Sequence, residues 1–127
     1  MNAAHESYEN QSARFWIEKG ILFFQYKPNT TIDLEVAMRV VADRIALQNE
    51  RPLPVFCDIR GIASIDKAAR DYLAKSGSLL AKAVALIGSE NVSMTMSTFY
   101  LEISKPSVPT RIFTIEQEAL DYLKGFL

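Results

Sequence analysis

Five short runs of apolar residues along the chain have the length and composition of β-strands. The first two runs are rich in aromatic side chains and are separated by Glu18-Lys19-Gly20, so we predict an antiparallel hairpin. The second strand of this hairpin is apolar at nearly every position from Ile21 to Phe24, which is typical of a strand covered on both faces. The five predicted strands are residues 14–17, 21–26, 54–59, 83–87 and 110–113.

Four further segments have the apolar spacing of amphipathic helices. The longest runs from about Asp33 to Gln48, and we expect its core-facing stripe to be Leu34, Met38, Val41 and Ile45. Its apolar arc is wider than packing on one sheet face requires, which is explained either by a broad core stripe or by a helix–helix or dimer contact. The other predicted helices are residues 67–76, 92–103 and 115–126, the last opened by a capping box with Thr114 as N-cap and Gln117 three residues later.

The resulting order, β-β-α-β-α-β-α-β-α, predicts an α/β fold. Strands that alternate with helices pair in parallel through right-handed crossovers, whereas the opening hairpin is antiparallel. We therefore expect one domain over residues 13–127, with a mixed five-stranded sheet and four helices. Residues 1–12 are polar, and we expect a flexible lead-in there.

Composition and charge narrow the classes of function. The chain of 127 residues is 49% hydrophobic and carries a net charge of −1, which disfavours nucleic acid and polybasic membrane binding. The chain has one His and one Cys, which are too few for a structural zinc site and disfavour histidine-based catalysis. The sequence contains no glycine-rich phosphate loop. We expect no cofactor, no metal and no enzymatic activity. Because we find neither a transmembrane segment nor a secretory signal, we also expect a cytoplasmic protein.

Polar residues follow the predicted strand that ends near position 58, and the carboxyl ends of parallel strands are where α/β proteins bind ligands and partners. Asp58 and Asp66 are interpreted either as a metal or acid–base pair, or as an ion pair with Arg60 and a helix N-cap. Ser64 is the other N-cap candidate, and Cys57 is expected to be an inert core residue. The candidate partner- or anion-binding residues are Asp58, Arg60, Ser64, Asp66, Lys67 and Arg70.

The run from Pro54 to Asp66, an apolar strand that ends in Asp58 and is followed by a short loop and a helix, resembles the central segment of STAS domains. This is the fold of bacterial anti-sigma-factor antagonists and of the cytoplasmic domains of sulfate transporters. Asp66 matches the Asp of the family's Asp-Ser pair, and Lys67 stands where the phosphorylatable serine would be. Residues 58–61, 69–72 and 105–113 are also similar to uncharacterised small bacterial proteins classed as STAS-like or SEC14-like.

The resemblance implies binding rather than catalysis. Our first hypothesis is a non-enzymatic STAS-like module of the bacterial cytoplasm that binds a protein partner and forms a homodimer. The second is a carrier of a nucleotide or of a lipid-like ligand, with an apolar cavity of a few hundred Å³ lined by Phe23, Phe24, Tyr26, Met94, Met96, Phe99 and Tyr100. The third is a metal-dependent enzyme that uses Asp58 and Asp66.

Overall fold

The computed structural model describes residues 6–89 and 104–127. Eight strands and three α-helices lie within these ranges, and a 3₁₀ turn, Ser76–Ser78, follows the second helix. The strands are β1 (Ser7–Glu9), β2 (Ala13–Glu18), β3 (Ile21–Tyr26), β4 (Thr30–Ile32), β5 (Leu53–Asp58), β6 (Ile62–Ile65), β7 (Ala81–Ile87) and β8 (Thr110–Phe113). The helices are α1 (Leu34–Gln48), α2 (Lys67–Lys75) and α3 (Glu116–Lys124).

The main sheet has the strand order β1-β2-β3-β5-β7-β8. β1, β2 and β3 pair in antiparallel fashion, with Phe15 opposite Phe24. β3, β5, β7 and β8 pair in parallel, with Leu22 of β3 opposite Val55 of β5. The predicted mixed α/β sheet, with an antiparallel hairpin followed by parallel strands, is therefore confirmed.

The count of elements differs from the prediction. The main sheet has six strands rather than five, because Ser7–Glu9 of the expected lead-in pairs with β2 as an edge strand. β4 and β6 form a separate two-stranded sheet, and β6 lies in the expected loop between Arg60 and Asp66. These strands have only three or four residues, too few to carry a periodic signal, and form by pairing with a neighbour. The helix predicted at residues 92–103 lies outside the described residues.

The two faces of the main sheet carry separate clusters of buried side chains. Phe15, Leu22 and Phe24 belong to the cluster on the face that α1 and α2 cover. Phe56 and Phe113 lie on the opposite face, where they pack with buried residues of α3. The near-continuous apolar sequence of β3 is explained by this arrangement, since its alternate residues face both clusters. No helix in the described ranges is long and apolar enough to cross a membrane.

The buried face of α1 differs from the predicted stripe. Leu34 and Met38 are 41% and 49% exposed, and of the predicted stripe only Val41 is buried. The buried residues of α1 are Ala37, Val40, Val41, Arg44 and Gln48. The prediction was wrong because it was drawn from apolar positions alone, whereas the buried face also includes the polar Arg44 and Gln48. Both side chains are buried because they are hydrogen-bonded within the fold.

Two aspartates start helices in the described chain. Asp33 accepts a hydrogen bond from the Val36 N–H at the start of α1, and Asp66 accepts one from the Ala69 N–H at the start of α2, at 2.9 and 2.8 Å. The predicted capping box at Thr114 is wrong. The N-cap of α3 is Ile115, which makes no side-chain cap hydrogen bond.

Candidate functional site at the carboxyl edge of the sheet

Asp58 and Arg60 form a close ion pair where β5 ends. Asp58 Oδ2 accepts a hydrogen bond from Arg60 Nη2 at 2.8 Å, and Oδ1 accepts one from Arg60 Nε at 2.9 Å. The backbone N–H of Arg60 also donates to Oδ1, at 3.0 Å. This two-point geometry fixes the plane of the guanidinium, since both oxygens of the carboxylate are engaged. The interpretation of Asp58 as the partner of Arg60 in an ion pair is therefore confirmed.

Arg60 also reaches a second carboxylate on a different element. Its Nη2 donates to Glu116 Oε2 at 2.9 Å, so the end of β5 is connected to the first turn of α3. The Asp58 side chain is 9% exposed, whereas that of Arg60 is 43% exposed. The guanidinium is therefore held from inside the fold and presented to solvent at the sheet edge.

The charges of this pair follow from its geometry. Burial acts to raise the pKa of the Asp58 carboxyl, but hydrogen bonds from the side chain and backbone of Arg60 outweigh it and lower the pKa. The hydrogen bond to Asp58 raises the pKa of the Arg60 guanidinium. Both groups are charged at neutral pH, so the Asp58 carboxyl has no proton to donate, and its lowered pKa makes it a weak base.

At Gly61, the backbone of the loop after Arg60 packs closely against the turn between β3 and β4. A Cβ atom at this position would lie 2.5 Å from the backbone oxygens of Tyr26 and Lys27. The Thr30 N–H donates to the Gly61 carbonyl oxygen at 3.1 Å. Only glycine permits this close approach, which fixes the position of the neighbouring Arg60.

An open cleft of about 540 Å³ borders this loop at the carboxyl ends of β3 and β5. Its volume lies within the range of about 300–1,000 Å³ that is typical of small-molecule pockets. The residues that line it are Arg14, Gln25, Tyr26, Lys27, Pro28, Asn29, Asp58, Arg60, Gly61, Ile62 and Ala63.

The other predicted site residues lie around β6 and the start of α2. Asp66 is the N-cap of α2, so this prediction is confirmed, and Ser64 lies in β6 with its Oγ 3.4 Å from Thr31 Oγ1. Lys67, the first residue of α2, forms an exposed ion pair with Asp71 at 2.7 Å. The hydrogen bond from Lys67 is the main cause of the lowered pKa of the Asp71 carboxyl.

Arg70 does not line the cleft that Arg60 lines, but borders a different cavity. It donates to the Ile65 carbonyl oxygen at 3.3 Å and borders a mainly apolar cavity of about 90 Å³ beneath α1 and α2. Phe24 and Tyr26 line this cavity as the carrier hypothesis expected, whereas Phe23 packs against the cluster on the opposite face. The other four residues of that hypothesis, Met94, Met96, Phe99 and Tyr100, lie outside the described residues. The volume is below the few hundred Å³ that the hypothesis required.

Cys57 is half-buried and lines the same cavity. Burial raises the pKa of its thiol to about 12, with the neighbouring Asp58 charge as a smaller cause. The thiol is therefore protonated at neutral pH and is a weak nucleophile.

The described residues contain no group of three or more His, Cys, Asp or Glu side chains that could hold a metal ion. Asp58 and Asp66, the pair of the metal-enzyme hypothesis, are each engaged elsewhere. Asp58 is bound by Arg60, and Asp66 caps α2.

Sequence reasoning missed the cations on the other side of the cleft. Arg14 lies near the start of β2, and Lys27 directly follows β3. Because β2 and β3 are antiparallel, both residues lie at the same end of the hairpin. The signal was present in the predicted hairpin, since it placed a basic residue at each of these two positions.

The comparison with solved structures defines the class of fold. A match of TM-score 0.58 is an uncharacterised protein of the DUF3478 family from Shewanella loihica PV-4, described as having a SpoIIAA-like fold. The two sequences are 17% identical, and the match covers 91% of this chain and 98% of the other. The predicted STAS-like fold is therefore confirmed.

Residues 15–127 match a domain of unknown function, DUF7793, and the chain belongs to that family. A comparison with curated proteins finds no match.

Proposed function

We propose that the protein is a non-enzymatic, STAS-like binding module of the bacterial cytoplasm that regulates a protein partner by direct contact. The observation that carries this proposal is the fixed, half-exposed guanidinium of Arg60 between Asp58 and Glu116. It stands at the carboxyl edge of the parallel strands, where α/β proteins bind their ligands and partners.

Arg60 has the properties of an anchor for a protein interface. Arginine is enriched among the residues that contribute most to binding energy at interfaces. Because two hydrogen bonds to Asp58 and one to Glu116 already order this side chain, binding would immobilise it at little further entropic cost. A partner carboxylate or carbonyl can replace the exposed Glu116 without disturbing Asp58.

The start of α2 is the second part of the proposed edge. Lys67 is exposed at the position where the resembling family has its serine, and it follows the N-cap Asp66. A lysine ammonium is not a substrate for a serine kinase, so we propose that the partner is bound without a phosphorylation switch at this position.

The candidate catalytic groups within residues 6–89 and 104–127 are either unreactive or engaged in structural roles, which supports a binding function. The Cys57 thiol is protonated at neutral pH, and Asp58 is held in an ion pair. Asp66 uses its carboxylate to start α2.

We also propose that the module forms a homodimer through the outer part of α1. Leu34 and Met38 are exposed large apolar residues one turn apart on this helix. Native mass spectrometry of the purified protein tests this proposal. We expect a dimer that Met38→Glu converts to a monomer, whereas Leu127→Glu, which changes another exposed apolar residue, leaves it intact.

Affinity capture from a lysate of the native host tests the partner-binding edge. Three baits are compared: the wild type, the double variant Arg60→Glu/Lys67→Glu, and Lys124→Glu, which reverses an exposed charge on α3. We expect a protein that the wild type and Lys124→Glu retain and the double variant loses. Equal retention by all three folded baits would contradict the proposed edge.

A further inference from the structure

Three cations surround the cleft at the ends of β3 and β5. Arg14 and Lys27 lie on the hairpin side, and Arg60 lies on the opposite side. Among the residues that line the cleft, Asp58 is the acidic one, and its charge is matched by Arg60. The hairpin side of the cleft therefore carries two cations that Asp58 does not neutralise, in a chain whose net charge is −1.

A carboxylate from β1 pairs with both of these hairpin-side cations. Glu9 Oε2 is 2.6 Å from Lys27 Nζ and 3.6 Å from Arg14 Nε, so one oxygen lies between two cations. The hydrogen bond from Lys27 is the main cause of the lowered pKa of the Glu9 carboxyl. Glu9 belongs to an edge strand of three exposed residues, so its side chain can leave without opening the core.

We propose that this cleft binds the oxyanion of a small molecule, a phosphate ester or a carboxylate, and that Glu9 occupies the oxyanion position when the ligand is absent. Lysine binds phosphate as a point charge, and the arginine guanidinium matches the oxygens of phosphate and carboxylate. The side-chain amides of Gln25 and Asn29 also line the cleft and offer donors and acceptors for the remainder of the ligand.

This site goes beyond the proposed partner binding, with which it shares Asp58 and Arg60. Lys27 and Glu9 belong to the oxyanion site alone. Substitutions at these two positions therefore separate the two proposals.

The test is an NMR titration of the ¹⁵N-labelled protein with inorganic phosphate and, separately, with succinate at constant ionic strength. We expect saturable shifts of the amides of Lys27, Asn29 and Gly61 with at least one anion. Saturation by phosphate alone assigns the site to phosphate esters, and saturation by succinate alone assigns it to carboxylates.

Three variants test whether the anion affinity changes as the proposal expects. Glu9→Gln should tighten binding about threefold, because it removes one competing exposed ion pair. Lys27→Met should weaken binding about tenfold, because it removes the cation nearest to Glu9. The matched control is Glu6→Gln, which removes a carboxylate that pairs with Arg51 outside the cleft, and it should leave binding unchanged.

The proposal is overturned if neither anion produces saturable shifts in the wild type and in Glu9→Gln. It is also overturned if Glu6→Gln changes the affinity as much as Glu9→Gln does, since a general charge effect would then explain the result. If Lys27→Met weakens anion binding but still captures the partner, the oxyanion site is supported independently of the partner-binding edge.

Discussion

Two arginines of this protein are held by oxygen atoms in different ways. Arg44 is 2% exposed, and its Nη2 donates to the backbone oxygens of Gly77 and Leu79 at 3.0 and 2.9 Å. Arg60 is 43% exposed, and it is held by the carboxylates of Asp58 and Glu116. Two of the oxygens around Arg44 belong to the backbone and a third to the buried Gln48 side chain, whereas Glu116, one of the two carboxylates at Arg60, is exposed. The first arginine therefore stabilises the structure, and the second is the one that we propose for binding.

The network around Arg44 explains why α1 is rotated from its predicted position. Its Nη1 donates to Gln48, whose amide donates to the backbone oxygens of Arg51 and Leu80 at 2.8 Å. Leu80 has a φ of 60°, an uncommon value for leucine, and the hydrogen bond from Gln48 holds its carbonyl. The two buried polar side chains thus connect α1 to the segment that leads into β7.

The largest expected effect is that of Arg44→Leu on stability. This substitution leaves two backbone oxygens without their donor, so we expect the free energy of unfolding to fall by about 3 kcal/mol. Urea denaturation followed by circular dichroism measures the change. Arg39→Leu, at an exposed position of the same helix, is the control and should change stability by less than about 0.5 kcal/mol. Equal losses in both variants would contradict the structural role of Arg44.

Gly61→Ala should have the next largest effect. Its Cβ would lie 2.5 Å from two backbone oxygens, so the loop after β5 must move, and we expect a loss of about 2 kcal/mol. Gly125→Ala is the matched control, because the nearest atom to its Cβ is 3.5 Å away. Urea denaturation compares the two, and amide shifts around Arg60 report whether the edge has moved. A Gly61→Ala protein as stable as the wild type would show that the contact is not tight.

Arg60→Leu should have the smallest effect on stability at neutral pH, about 1 kcal/mol or less, because the ion pair is partly exposed. The loss of the ion pair is expected to change how the free energy of unfolding depends on pH. The folded-state pKa of Asp58 lies below the unfolded value of 3.8, so the ion pair stabilises the protein above that value. This contribution is lost as the pH falls through the folded-state pKa.

Urea denaturation of the wild type and Arg60→Leu at pH 7 and pH 3 measures this dependence. The difference in stability between the two proteins should shrink at the lower pH. A difference that stays constant with pH would mean that Asp58 draws no stabilisation from Arg60.

The strands of the hairpin and the central sheet were predictable because their apolar runs are long enough to bury a face of the sheet. The same holds for α1 as an element, although its orientation depends on buried Arg44 and Gln48, whose partners come from distant parts of the chain. β4 and β6 depend on pairing with each other, which no local pattern specifies.

Part of the candidate site was also predictable. Asp58 followed from its place at a strand end, and Asp66 followed from its type as an N-cap residue. The hydrogen bond between Arg60 and Glu116 could not be predicted from the sequence, because it joins residues 56 positions apart.

The most direct test of the central claim is calorimetric titration of the purified partner, once captured, into the wild type and Arg60→Gln, with Lys124→Gln as control. If Arg60 anchors the interface, Arg60→Gln should bind about thirtyfold more weakly, the loss that corresponds to roughly 2 kcal/mol at an anchoring residue. Lys124→Gln should bind as the wild type does. Equal affinity of all three proteins would show that the Asp58–Arg60–Glu116 array serves only the fold.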